Sequence, residues 1–163
     1  MKTLLLLRHA KSSWADASLK DFDRSLNKRG LKDMKTVGKF IRSSGICPEL
    51  IISSPAERAR QTAELFLKWS GLKAELRFDE RIYEASVGRL LEVIAHVEDS
   101  CETVMLVGHN PGMEDLYSIL TGEMAHMPTA TLASIELPVD KWSKVRARGG
   151  RSKLLIAPKE LGD

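Results

Sequence analysis

Four consecutive leucines, Leu4-Leu5-Leu6-Leu7, are closed by Arg8-His9. The run is too short for a helix and lacks the alternation of a half-exposed strand. It reads as a strand buried on both faces, as in a parallel sheet. Leu50-Ile51-Ile52 is a second such strand, leading into Ser53-Ser54, and Thr103 to Val107 is another, leading into Gly108-His109. Ala74 to Phe78, Thr131 to Leu137 and Lys153 to Ile156 read as further strands, the last after the turn signal Gly149-Gly150.

Between the strands lie helical patterns. From Lys28 to Ser44, Leu31, Met34, Val37, Phe40 and Ile41 share one face, and Gly45 stops the helix. Ser54-Pro55-Ala56-Glu57 predicts a helix start. Ser54 caps, Pro55 takes the first helical position and Glu57 completes a capping box. Ala56, Ala59, Ala63, Phe66 and Leu67 form its buried stripe, and Gly71 ends it. Val87 to Val97 is amphipathic, with Val87, Leu90, Leu91 and Ile94 on one side. Asn110 is expected to cap, and Pro111 to open, a helix reaching about Leu120. Strands alternating with helices imply an α/β chain: one three-layer α/β/α domain with a mostly parallel central sheet. A chain of 163 residues suits one domain with its own core, so residues 1–163 are taken as a single unit.

Composition narrows the function classes. The net charge of +3 is too small, and aromatic residues at 6% too few, for the dense basic and aromatic stripe of a nucleic-acid binder. The four leucines fall short of a secretory core of roughly 7–15 apolar residues and of a membrane span of about 20. A cytoplasmic location is therefore expected. Cys47 and Cys101 carry no metal or disulfide spacing and read as two reduced core thiols. No HxH, HExxH or carboxylate cluster accompanies the histidines, so no metal or other cofactor is expected. His96, opposite the Leu90/Ile94 stripe, and His126, in a loop, read as idle.

The chemistry concentrates at strand ends. In open α/β sheets, ligands bind beyond the carboxyl ends of the strands. If the strands are parallel, Arg8, His9, Arg58 and His109 all lie at that edge. Helix starts there add backbone N–H groups and positive dipole ends that suit an anion. Arg58 and Arg60 sit early in a helix, where the dipole disfavours cations, and a bound anion would remove that conflict. Guanidinium groups match phosphate through paired hydrogen bonds. The polar stretch Lys11 to Asn27 is the longest predicted loop.

Three segments carry a family resemblance. Leu6-Leu7-Arg8-His9-Ala10-Lys11-Ser12-Ser13-Trp14 resembles the arginine–histidine signature of the histidine phosphatase superfamily in its SixA-like form, which has Ala10 where the larger family has Gly. Ser53-Ser54-Pro55-Ala56-Glu57-Arg58-Ala59-Arg60-Gln61-Thr62 resembles the second motif, and Val107-Gly108-His109-Asn110-Pro111-Gly112 the third. Asp21-Phe22-Asp23-Arg24-Ser25-Leu26 resembles a segment with Pro in place of Ser25. The resemblance implies a phosphoglycerate mutase-like fold and a metal-independent phosphatase active in signal transduction. It makes His9 the nucleophile, and Arg8, Arg58 and a protonated His109 the phosphate pocket. Arg81-Ile82-Tyr83-Glu84 matches the pattern preceding the general acid of related mutases, which makes Glu84 the acid. SixA-like relatives often lack that residue.

The implied reaction is hydrolysis of phosphohistidine on a partner protein through phospho-His9. An alternative substrate is a small phosphate monoester, with Glu84 as acid. A third reading, a phosphate-binding module without catalysis, is disfavoured by the intact set of four residues. The cluster Arg146, Arg148, Arg151 and Lys153 reads as a solvated hairpin, with partner docking the alternative.

Overall fold

The computed structural model describes residues 1–162. Its elements run β1 (Lys2–Arg8), α1 (Lys28–Ser44), β2 (Leu50–Ser53), α2 (Glu57–Ser70), β3 (Glu75–Phe78), α3 (Val87–Ala95), β4 (Thr103–Gly108), α4 (Gly112–Thr121), β5 (Leu132–Leu137) and β6 (Arg151–Ile156). Short 3₁₀ turns cover Asp21–Asp23, Glu80–Ile82, Trp142–Lys144 and Pro158–Leu161. The strands form one sheet in the order β3-β2-β4-β1-β5-β6. The pairs β3–β2, β2–β4 and β4–β1 are parallel, while β5 and β6 add an antiparallel edge.

The unalternating leucines of β1 are explained by the layers on either side of them. Leu4 and Leu6 face a core with Leu90, Ile94, Met113 and Leu116 of α3 and α4. Leu5 and Leu7 face a second core with Met34, Val37, Ala63 and Phe66 of α1 and α2. All four leucines are fully buried, each contributing about 1.5–3 kcal/mol of apolar burial. The expected three-layer α/β fold is present, with the sheet in the middle.

Helix starts differ from the sequence expectation. α2 begins at Glu57, its preceding Ala56 offers no side-chain cap, and Pro55 lies outside the helix. The Ser54 hydroxyl, two residues earlier, accepts from the Ala56 N–H and contacts His109, so it is committed to the site and not to a capping box. α4 begins at Gly112, one residue after Pro111. Asn110 Oδ1 still accepts from the Glu114 N–H at 3.3 Å, and its amide donates to the Met127 carbonyl. Leu31, placed on the buried face of α1, is instead 47% exposed, because that face centres on Met34, Val37 and Ile41. Cys47 is exposed in the α1–β2 connection and is no core thiol. Among the described residues, no helix is long and apolar enough to cross a membrane.

The loop after β1 is tied to the start of α1. Lys11 O accepts from the Asn27 N–H, and the Asn27 side chain accepts from the Gly30 N–H at 2.9 Å. A Cβ at Gly30 would stand 2.2 Å from that same Lys11 carbonyl oxygen. Gly30→Ala is therefore expected to destabilise the protein by about 1–3 kcal/mol, as overpacking against backbone does. Urea denaturation, compared with Gly88→Ala as a control whose added Cβ would meet nothing closer than Ser86 Oγ at 3.9 Å, measures this.

Candidate active site

Parallel register gathers the site. Arg8 pairs with Gly108 and Ser53 with Val107, so three neighbouring strands end together. Beyond those ends lies a cleft of about 310 Å³, lined by Arg8, His9, Trp14, Asp21, Arg24, Arg58, His109 and Asn110, among others. Four of the five residues singled out from the sequence meet here. His9, Arg58 and His109 are all buried, and the two imidazole centroids are 5.1 Å apart.

The backbone after β1 is clamped on every side. The His9 N–H donates to the Gly108 carbonyl at 2.9 Å, and the Ala130 N–H donates to the Arg8 and His9 carbonyls. The Ala10 N–H donates to Thr62 Oγ1, whose hydroxyl donates back to the Arg58 carbonyl within α2. The position of Ala10, fully buried, is thus tied to the first turns of the helix that carries Arg58.

Hydrogen bonding assigns the His9 tautomer. Nδ1 lies 2.8 Å from the Ala10 carbonyl oxygen, which can only accept, so Nδ1 carries the hydrogen. Nε2 keeps its lone pair and receives only a long contact, 3.4 Å, from Arg58 Nε. Burial pushes the His9 pKa down to about 3, and the charges of Arg58 and Arg8 act in the same direction. At neutral pH the ring is an uncharged imidazole whose Nε2 lone pair is free.

His109 differs from expectation. Burial, reinforced by Arg58, lowers its pKa to about 4, so it is neutral near pH 7 rather than the protonated group anticipated. Its Nε2 is 2.8 Å from Ser54 Oγ. That hydroxyl already accepts from the Ala56 N–H, and donation to Nε2 satisfies its own proton. The ring hydrogen then sits on Nδ1, which has no protein partner. Arg8 donates from Nη1 to the Met127 carbonyl at 3.0 Å, while its buried Nε is also unpartnered. Two unpaired buried donors in the walls of one cationic cleft are what an anion with several oxygens requires.

Arg58 spends two nitrogens on the loop before α1. Nη1 donates to the Asp21 carbonyl at 2.7 Å and Nη2 to its carboxylate at 3.1 Å. Tyr83 also donates to that carboxylate, at 2.7 Å, and with Arg58 and Arg24 it holds Asp21 below the usual carboxylate range. The Tyr83 ring lies edge-on to His109 at 5.5 Å. Glu84, the fifth residue singled out, is exposed beside Tyr83 with a left-handed φ of 51° and does not line the cleft. Arg60 turns away to Glu57 and Glu64.

Sequence reasoning passed over Asp21, Arg24, Ser54 and Tyr83 as site residues. Arg24 is 7% exposed and bonded to Ser12 and Asp21, a burial that the polar composition of its loop conceals. His96 is exposed, and His126, 86% exposed, pairs with Glu114. Among the described residues, no group of three or more His, Cys, Asp or Glu could hold a metal ion.

Residues 4–100 match the profile of the histidine phosphatase superfamily, branch 1. The chain belongs to this superfamily. An uncharacterised chloroplast protein of Arabidopsis thaliana is 33% identical over 96% of this chain and 78% of its own length. Among solved structures, a candidate phosphohistidine phosphatase SixA of Agrobacterium tumefaciens is 30% identical, with a TM-score of 0.83 over 96% of this chain and 98% of that one. The protein histidine phosphatase SixA solved with tungstate shares the fold at 21% identity, with a TM-score of 0.83 over 98% of this chain and 99% of that one. Histidine phosphatase membership and the SixA-like fold support a phosphatase.

The buried histidines also make stability depend on pH. In the unfolded chain each imidazole binds its proton near pH 6.5, but in the folded state only near pH 3 or 4. Between those values the unfolded chain holds more protons, so acidification through that window favours unfolding. At pH 5 the loss relative to neutral pH should be roughly 2 kcal/mol for each histidine. Urea midpoints at pH 7 and 5 should converge in His9→Asn/His109→Asn relative to the unaltered protein.

Proposed function

We propose that the protein removes the phosphoryl group from phosphohistidine on a partner protein. His9 Nε2 attacks phosphorus, the phosphorus–nitrogen bond of the substrate breaks, and the departing imidazole keeps the electron pair and takes a proton. Water then cleaves phospho-His9, releasing inorganic phosphate and restoring the neutral ring. Arg8, Arg58 and the His109 Nδ1–H stabilise charge spread over the equatorial oxygens. A dianionic phosphoryl group favours the protonated form of His109, so the expected imidazolium forms with substrate bound.

One observation carries the choice of leaving group. Asp21 is the carboxylate lining the cleft, and it is held ionised by Tyr83, Arg58 and Arg24. An ionised carboxylate is a poor acid for expelling an alkoxide. A phosphohistidine nitrogen can be protonated from solvent before it leaves and needs no such acid.

The second reading is hydrolysis of a small phosphate monoester with Glu84 as general acid. Its left-handed backbone, which costs a non-glycine residue of order 1 kcal/mol or more, favours this reading, since such strain gathers at functional positions. A cytoplasmic location and a part in signal transduction belong to the phosphohistidine proposal.

A panel of phosphohistidine-bearing protein, free phosphohistidine and sugar phosphates tests the proposal. Phosphohistidine turnover should exceed ester turnover by orders of magnitude, and His9→Ala should abolish it together with the acid-labile phosphoenzyme. Glu84→Gln should change phosphohistidine turnover less than twofold. A loss of about 10²–10⁴-fold on every substrate would favour the ester reading.

A further inference from the structure

Trp14 lines the cleft beside the catalytic groups yet is 73% exposed, whereas His9, Arg58 and His109 are each below 10%. The cationic groups therefore make a floor, and the indole stands at the rim. One indole face is already occupied. The Arg24 guanidinium lies 3.5 Å from the ring centroid, and Arg24 is itself fixed by Ser12 Oγ at 2.8 Å and by Asp21. The stack holds the indole in place from beneath and leaves its other face to solvent.

A phosphoryl group on the floor must send its substituent outward past this rim. We propose that Trp14 is a specificity residue whose open face stacks on a planar leaving group, the imidazole of a phosphohistidine in the first instance. This deepens, and rests on, the phosphohistidine reading. Three features favour a flat ring over an extended polar chain. The stack on Arg24 presets the indole, so little conformational freedom is lost on binding. The cleft, at about 310 Å³, exceeds what a phosphoryl group fills and leaves room for a ring. Rings also pack behind the His109 wall, with Tyr83 edge-on to His109 and Phe22 edge-on to Tyr83 at 5.2 Å.

The test compares substrates that share a bond but differ in the ring. Phosphohistidine and phosphoramidate both break a phosphorus–nitrogen bond, and only the first carries a planar leaving group. In Trp14→Ala, kcat/KM for phosphohistidine should fall about tenfold further than for phosphoramidate, mostly through KM, as loss of one ring stack predicts. Trp14→Phe, which keeps a ring face, should recover most of the difference. Equal losses on both substrates would make Trp14 only a brace for Arg24 and overturn the proposal, as would no loss on either. Phenyl phosphate against methyl phosphate repeats the comparison for esters. Absence of phosphohistidine turnover in the unaltered protein sinks the proposed function, while the ester pair still decides whether Trp14 selects flat leaving groups.

Discussion

The site depends on the parallel register between β1 and β4. Arg8 opposite Gly108 means that the next residues of the two strands, His9 and His109, leave the sheet at the same level. The register cannot slip by one residue without exchanging the two cores, since Leu4 and Leu6 serve one face and Leu5 and Leu7 the other. The burial that stabilises the fold is thus the force that sets the distance between the two imidazole rings. β2, paired on the far side of β4, brings Ser54 within hydrogen-bonding reach of His109 by the same logic.

Packing three guanidinium groups and two imidazoles into a mostly buried cleft is electrostatically unfavourable, and the structure offsets this in distinct ways. The histidines shed their protons, as their lowered pKa values show. Arg8 leans on the Met127 carbonyl, and Arg58 on Asp21. Donors at Arg8 Nε and His109 Nδ1 remain unpaired, and the proposed function gives them an anion to meet. Neutral histidines also resolve a conflict in the chemistry. On the proposed mechanism a nucleophile must keep its lone pair near pH 7, and burial of His9, with the cations around it, secures that condition.

How much of this the sequence discloses depends on whether a residue acts through local pattern or through distant pairing. Arg8, His9 and His109 were legible because each follows an apolar run that can only be a buried strand. Arg58 was legible because it follows a strand and sits at a helix start. The three layers were legible from the same alternation. Asp21, Arg24 and Tyr83 were not, because their roles arise from contacts across the fold, such as Tyr83 to Asp21 over 62 positions. Ser54 carried the correct signal for the wrong reason. A serine before a proline and a glutamate looks like a helix cap, yet its hydroxyl is drawn to an imidazole 55 residues away. The neutral state of His109 in the free site was not legible either, because only burial beside Arg58 lowers its pKa to about 4.

Asp21 connects the electrostatics to selectivity. Its carboxylate is ion-paired with Arg58 at 3.1 Å and steadies that guanidinium beside the cleft. The same interaction keeps it ionised and removes it as a proton source. A site that uses its carboxylate to hold an arginine has given up easy expulsion of an alkoxide. On the proposed function, such a site suits a substrate whose leaving nitrogen brings or acquires its own proton. The role proposed for the exposed Trp14 at the rim fits that reading, with discrimination by the shape of the leaving group in place of discrimination by acid strength. The two features sit on one loop, from Lys11 to Asn27, and Arg24 touches both of them, bonding Asp21 at one side and stacking on Trp14 at the other.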